Sequence, residues 1–260
     1  MSSGMTTRKE LVFDGSISDL TIKWLADSLW ILPSENDELR IVQKTTDKFP
    51  ESKLFLAEKN HKELLIVDGR KQTFNIGFNV NHTILEAYLP RKRWNSLTIT
   101  ITGGQVSVKD LNADYCKCHI TSGRANLSGQ ISELDLKLTG SNVTGDCLDV
   151  RELRLQSVSS KSEFSGMFNS IETRLIGNRA AITSDIIPER IHSVSTAAQV
   201  MVSIPDNDGF QINVKKRSGT IKSDFPLISD GKRLIYSSGK REYRAEVQGG
   251  QFTLCKVLTR

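Results

Sequence analysis

No apolar run in this chain approaches the roughly 20 residues that a membrane-spanning helix requires, so no such helix is expected. The stretch from Met1 to Asp14 lacks the apolar core of a secretory signal. If the chain is complete, that places it in the cytoplasm or at the periphery of a membrane. Cysteine is sparse, at four residues, and the four share no metal-ligand spacing. Cys116 and Cys118 lie two apart on an alternating segment, whereas strand alternation sends His119 to the opposite face; Cys147 and Cys255 stand in other repeats. No metal site, cofactor or structural disulfide is expected. Also missing are a nucleophile elbow, a phosphate loop, a dinucleotide fingerprint and a two-histidine zinc helix. No low-complexity linker interrupts the 260 residues, 38% of them hydrophobic, which favours one compact chain.

What is present is an irregular eight-fold repeat. Small-residue pairs recur at Gly103-Gly104, Ser122-Gly123, Gly140-Ser141, Ser159-Ser160, Gly177-Asn178, Ala197-Ala198, Ser218-Gly219 and Gly249-Gly250. Their second members are 19, 18, 19, 18, 20, 21 and 31 residues apart. The positions seven, five and three residues before each second member are apolar in 19 of 24 cases, beginning Leu97, Ile99, Ile101 and Cys116, Cys118, Ile120. The residues between them are mostly polar, and alternation resumes after the pair, as at Val106 and Val108 or Val200 and Val202. That is the period-two mark of strands with one buried face. Each repeat reads as strand, tight corner, strand and a second polar turn, with structural corners at Gly104, Gly123, Ser141, Ser160, Asn178, Ala198, Gly219 and Gly250. An antiparallel sandwich has no reason to keep this phase. The pattern predicts an all-β, single-stranded β-helix or β-solenoid of about eight rungs, each rung burying its apolar face on its neighbours.

Residues 16–93 do not keep the corner spacing but carry strand-like runs, among them Leu39 to Val42, Leu64 to Val67 and the alternating Phe74, Ile76, Phe78 and Val80. The expected organisation is a disordered stretch over 1–15, an N-terminal β cap over 16–93 and the solenoid over 94–260, with 16–260 as one continuous domain. The final rung, Tyr243 to Leu254, lies close to the last residue, so an open edge and end-to-end self-association are expected.

A catalytic β-helix needs carboxylates converging on one outward ladder. The acidic residues here are scattered; the best column sets Asp135 level with His119 and Thr100, and outward polar columns occur in any solenoid. The remaining histidines, His61, His82 and His192, have no evident partners. A net charge of +5 rests on 35 basic against 30 acidic residues. The basic clusters Arg91-Lys92-Arg93, Lys215-Lys216-Arg217 and Lys240-Arg241 with Arg244 adjoin Trp94 and Tyr243, but those rings fall on structural positions. A nucleic-acid platform would want them exposed, so the clusters read as solvated strand ends.

The alternation around Ser-Gly corners resembles the bacterial putative-adhesin domain family of unknown function. Leu32-Pro33-Ser34-Glu35, Tyr88-Leu89-Pro90, Ile204-Pro205-Asp206-Asn207-Asp208-Gly209-Phe210 and Ser223-Asp224-Phe225-Pro226 are similar to its other elements, and the likeness runs from about Ile17 to Leu258. The resemblance implies the solenoid fold. The family corner usually reads Ser-Gly-Asp, whereas the third residue here is Gln105, Arg124, Asn142, Lys161, Arg179, Gln199, Thr220 or Gln251. The expected function is a non-catalytic scaffold or binding surface for an envelope-associated protein or glycan. The alternatives are a carbohydrate-binding or carbohydrate-active β-helix, and a basic surface for nucleic acid or anionic membrane.

Overall fold

The computed structural model describes residues 4–25, 27–70 and 82–257. In chain order the strands are β1 (Thr6–Phe13), β2 (Asp19–Leu25), β3 (Ser28–Pro33), β4 (Leu39–Thr45), β5 (Leu56–Asn60), β6 (Glu63–Val67), β7 (Thr83–Leu89), β8 (Trp94–Thr102) and β9 (Gln105–Thr121). They continue as β10 (Arg124–Thr139), β11 (Asn142–Val158), β12 (Lys161–Ile176), β13 (Arg179–Ser184), β14 (Arg190–Ile204), β15 (Gly209–Ser223), β16 (Ile228–Ser229), β17 (Arg233–Ser237) and β18 (Arg241–Lys256). No helix among the described residues is long and apolar enough to cross a membrane. Phe74, Ile76, Phe78 and Val80 lie outside the described residues.

From β8 onward the chain is a β-solenoid. One leg runs up to the small-residue corner, a second leg leaves it, and the chain then bends into the first leg of the next rung. Successive rungs pair in parallel: β8 with β9, β9 with β10, β10 with β11 and β11 with β12. The second turn expected between legs is not a turn. It is a bend inside continuous strands 16 or 17 residues long, and it comes in two alternating forms. In β9 and β11 an extra residue bulges out with positive φ at Asp110 (51°) and Cys147 (51°); in β10 and β12 the bend falls on Gly129 (135°) and Gly166 (141°). The extra residue explains why successive corners are spaced 19, 18, 19 and 18 residues apart.

The two ends depart from simple sequential coiling. At the N-terminal end, β2 and β3 form a full rung joined near Asp27, pairing in parallel with β8 and β9. Outside it lies a rung built from β6 and β7, parallel to β2 and β3. Antiparallel β5 and β4 cover that rung, and β1 pairs antiparallel with β4 from Thr6 to Phe13. Within the stretch 1–15, expected to be disordered, Thr6–Phe13 is a strand that extends the sheet, helped by Lys9, whose Nζ donates to the Phe55 carbonyl at 2.8 Å. The N-terminal third also holds two further rungs beneath its antiparallel cover.

At the C-terminal end the last two rungs exchange places. β18 inserts between β14 and β15, parallel to both, so Tyr243 to Leu254 is an interior rung and β15 is the terminal one. Antiparallel β17 covers its first half, Gly209 to Asn213, while Lys215 to Thr220 is exposed. Phe210 is the hinge of this end, with ring centroids 5.1 Å from Phe225, 5.3 Å from Tyr236 and 5.2 Å from Tyr243.

One hydrophobic core runs through the rod from Ile17 to Leu254. Of the alternating positions before the corners, all are buried except Val214, which is half-buried, and Lys216, which is exposed; both lie on the terminal rung. Cys116 and Cys118 face inward with their sulfurs 3.9 Å apart, and the Cys118 contact and burial push the Cys116 thiol up. Trp94 and Tyr243 are also buried, and the Tyr243 hydroxyl donates to the Pro188 carbonyl at 2.8 Å.

Candidate functional site

The corner edge of the solenoid is the most regular surface of the molecule. In seven of the eight pairs, Ser218-Gly219 being the exception, the first member takes positive φ: Gly103 (74°), Ser122 (54°), Gly140 (57°), Ser159 (52°), Gly177 (66°), Ala197 (49°) and Gly249 (78°). This left-handed geometry turns the chain within two residues and keeps the ladder intact around the turn. The Gly103 N–H donates to Thr121 O at 2.7 Å, Ser122 N–H to Thr139 O at 2.8 Å, and Gly140 N–H to Val158 O at 3.0 Å. Of the second members, Gly104, Asn178, Gly219 and Gly250 also have positive φ, while Gly123, Ser141, Ser160 and Ala198 complete their corners without it. Ser141 and Ser160 turn inward and act as relays: Ser160 Oγ accepts from Ser141 N–H at 3.0 Å and donates to Val158 O at 3.0 Å. The serines thus satisfy corner amides that glycine alone would leave open.

The corners line an open groove of about 630 Å³ that passes from Asp27 and Gly104 through Gly123, Ser141 and Ser159 to Asn178. Along one rim, strand register sets Ser28, Gln105, Arg124, Asn142, Lys161, Arg179, Gln199 and Gln251 in a single row, with Thr220 at its end. On the other side of the corners, outside the groove's lining, register sets the row Thr102, Thr121, Thr139, Val158, Ile176 and Thr196. Asp27 is the one carboxylate lining the groove, and Arg70 holds it at 2.7 Å. Arg70 also binds buried Asp68 at 2.6 Å and stacks on Trp24, its centroid 5.4 Å away. Burial opposes the Arg70 charge, but Asp68 and Asp27 outweigh it and raise the guanidinium above its ordinary value. This N-terminal clamp also takes His82, with Nδ1 3.2 Å from Asp27.

The outer face of the first leg does not hold the Asp-His-Thr column. Asp135 pairs with Lys117, itself level with Thr98, while His119 lies beside Lys137 and Thr100. The expected column was out of step by two residues, which along a strand keeps the face but moves to the next row. Asp135 instead meets the Tyr115 hydroxyl at 3.4 Å; burial and that carboxylate raise the phenol. His119 is half-buried, on the face opposite Cys118.

The basic clusters are largely engaged. Arg93 pairs with Asp114 at 2.7 Å, Lys215 with Glu246 at 3.0 Å, Arg244 with Glu242 at 3.1 Å, and both Lys240 and Arg241 with Asp208. On the same leg face, Arg154 bridges Glu133 at 3.3 Å and Glu152 at 2.9 Å, and Arg174 pairs with Glu172 at 3.1 Å. The bend edge, opposite the corners, is acidic: Asp110, Asp149 and Asp185 line a shallow depression there with Cys147 and Met167. Among the described residues, no group of three or more His, Cys, Asp or Glu side chains could hold a metal ion.

Comparisons with known proteins place this geometry. The family model described as Toastrack DUF4097 matches residues 17–254. A solved putative adhesin from Parabacteroides merdae is similar at 10% identity and a TM-score of 0.52, covering 99% of this chain and 98% of that one. A putative adhesin from Bacteroides fragilis aligns over 96% of this chain and 98% of its own, with 13% identity and a TM-score of 0.48. A putative lipid binding protein from Parabacteroides distasonis aligns over 99% and 98%, with 12% identity and a TM-score of 0.40. Among curated proteins, none matches the chain.

Proposed function

We propose, for a chain that belongs to the Toastrack DUF4097 family, a non-catalytic role in which the corner groove holds a protein or glycan partner of the cell envelope. The family and its adhesin-like solenoid carry the reading as far as a binding fold. The groove carries it further. It runs past six corners, and its one lining carboxylate, Asp27, is already neutralised by Arg70. A hydrolase or lyase needs a free acid and base converging on one bond. Here the floor is glycine and serine backbone, and the serine hydroxyls at 141 and 160 are spent on corner hydrogen bonds.

The test is to incubate the full chain with a panel of envelope polysaccharides and follow their chain length by size exclusion. Unchanged length over hours is expected. Depolymerisation that disappears on Asp135→Asn would sink the non-catalytic reading and favour a carbohydrate-active solenoid.

A further inference from the structure

The groove has a chemistry that narrows its occupant. We infer that it binds a linear anionic polysaccharide, with the chain lying along the solenoid axis and its carboxylate or sulfate groups on the rim of Arg124, Lys161 and Arg179. This inference rests on the corner groove being the binding surface.

Three features argue for it. The first is the placement of charge. Arg124, Asn142, Lys161 and Arg179 follow one another in parallel register. At about 4.8 Å per rung, Arg124 and Lys161 stand roughly 10 Å apart and Lys161 and Arg179 roughly 5 Å. None of the three cations has an ion pair or side-chain hydrogen bond among the described residues, whereas Arg154, Arg174 and Arg244 on the adjoining face are held by glutamates. Their charge remains available to a ligand, and a polymer with anionic groups along its length can meet all three.

The second feature is the row on the other side of the corners. Val158 and Ile176 are 43% and 56% exposed, directly across the corner from Lys161 and Arg179. A pyranose ring presents an apolar C–H face on one side and its polar substituents around its rim. The corner edge matches that division, with apolar side chains on one side of the corners, cations on the other, and Asn142 and Gln105 in the groove available to hydroxyls. The third is the floor. The small corner residues leave backbone at the base, and the groove passes six corners, about 24 Å. A polymer can therefore run through it.

The lining also disfavours other occupants. Among the described residues no aromatic ring lines the groove, so single-stranded nucleic acid would lose the base stacking that supplies much of its affinity. A neutral glycan would leave the cation row without a partner.

The experiment uses the full chain in affinity electrophoresis and titration calorimetry against polygalacturonate, heparin, dextran and oligothymidylate. Binding to one or both anionic glycans is expected, weakening as salt rises. Arg124→Gln, Lys161→Gln and Arg179→Gln combined should weaken it about tenfold with unchanged circular dichroism, because Arg124 and Arg179 are exposed and Lys161 is only half-buried. A control pair on the face, Arg154→Gln with Arg174→Gln, should leave it within about threefold. Preference between polygalacturonate and heparin assigns the anion as carboxylate or sulfate. Equal binding by the triple variant, or oligothymidylate bound as tightly as the glycans, overturns the inference. Dextran bound as tightly as polygalacturonate removes the anionic class but leaves the groove as a binding surface. Retention of none of the four overturns the inference and leaves the envelope-binding role to a protein partner.

Discussion

Gly166 should be far less replaceable than Gly140, although both have positive φ. At Gly166 (φ 141°) an added Cβ would sit 2.0 Å from Leu148 O and 2.7 Å from Leu148 N, backbone atoms of the neighbouring rung. Backbone cannot rotate away, so β11 and β12 must part where Leu148 and Gly166 pair. The backbone strain costs about 1–3 kcal/mol. Losing one or two ladder hydrogen bonds adds about 1 kcal/mol each. Gly166→Ala should therefore cost about 2–5 kcal/mol. At Gly140 (φ 57°) the nearest atom to an added Cβ is Ser122 Oγ at 3.8 Å, and Ser122 and Ser159 occupy the same conformation in adjacent corners. Gly140→Ala should cost only about 1 kcal/mol, the left-handed penalty alone. Equilibrium urea denaturation of both variants, with coincident transitions by fluorescence and circular dichroism, measures the difference. If Gly166→Ala costs no more than Gly140→Ala, the alternating-bend account of the rungs is wrong.

Lys216 occupies an inward register position on the terminal rung yet is exposed, so it places a charge where a second rod would stack. Lys216→Val should make the scattering mass rise with concentration while the parent mass stays constant; a parent that already associates end to end would refute this protective role. In the C-terminal cap, hydrogen bonds from Lys256 and then Tyr236 lower the Asp206 carboxyl, and Arg241 lowers that of Asp208. Their folded values lie below the unfolded 3.8, so this contribution is complete above that value and is lost as pH falls through the folded ones. Tyrosine fluorescence of the cap should be flat above about pH 5 and change only in more acidic solution; a transition above about pH 5 would contradict it. A 91–260 fragment would uncover Leu97, Ile99 and Ile101 of β8, which β2 normally covers. It should aggregate, and a monodisperse fragment would show that the N-terminal rungs are dispensable.

The corner template was legible because it repeats in sequence what recurs in space. It also reached further than the eight pairs. Positions seven, five and three before Asp27 are Leu20, Ile22 and Trp24, and those two and four after it are Leu29 and Ile31, the same pattern that marks the later rungs. The missing small-residue pair hid that rung, because Asp27 reaches positive φ (60°) with its side chain held by Arg70 rather than by being glycine. The exchange of the last two rungs was not legible. β15 and β18 carry the same template and either could follow β14; the choice falls to non-local contacts, among them Phe210 against Tyr243 and Asp206 with Lys256 at 2.5 Å. The 31-residue interval between Gly219 and Gly250 was the only local sign, marking room for β16 and β17.

The residue after each corner ties the sequence departure to the site. Read one at a time, Gln105, Arg124, Asn142, Lys161, Arg179 and Gln199 are unrelated polar and basic residues. Parallel register turns them into one continuous row, because a rung shifts neither along its axis nor out of phase with the corner that precedes it. A single cation would make one contact; Arg124, Lys161 and Arg179 in one row give the edge a positive sign. The bend edge, with Asp110, Asp149 and Asp185, keeps the opposite sign across the width of the rod. An anionic polymer approaching at random is repelled from one edge and attracted to the other, and screening confines that preference to about 8 Å at physiological salt. That range is about two rung spacings, so the cation row acts as a local guide into the groove rather than as a long-range field. Selectivity then rests on how closely a ligand's own anionic spacing follows the rungs.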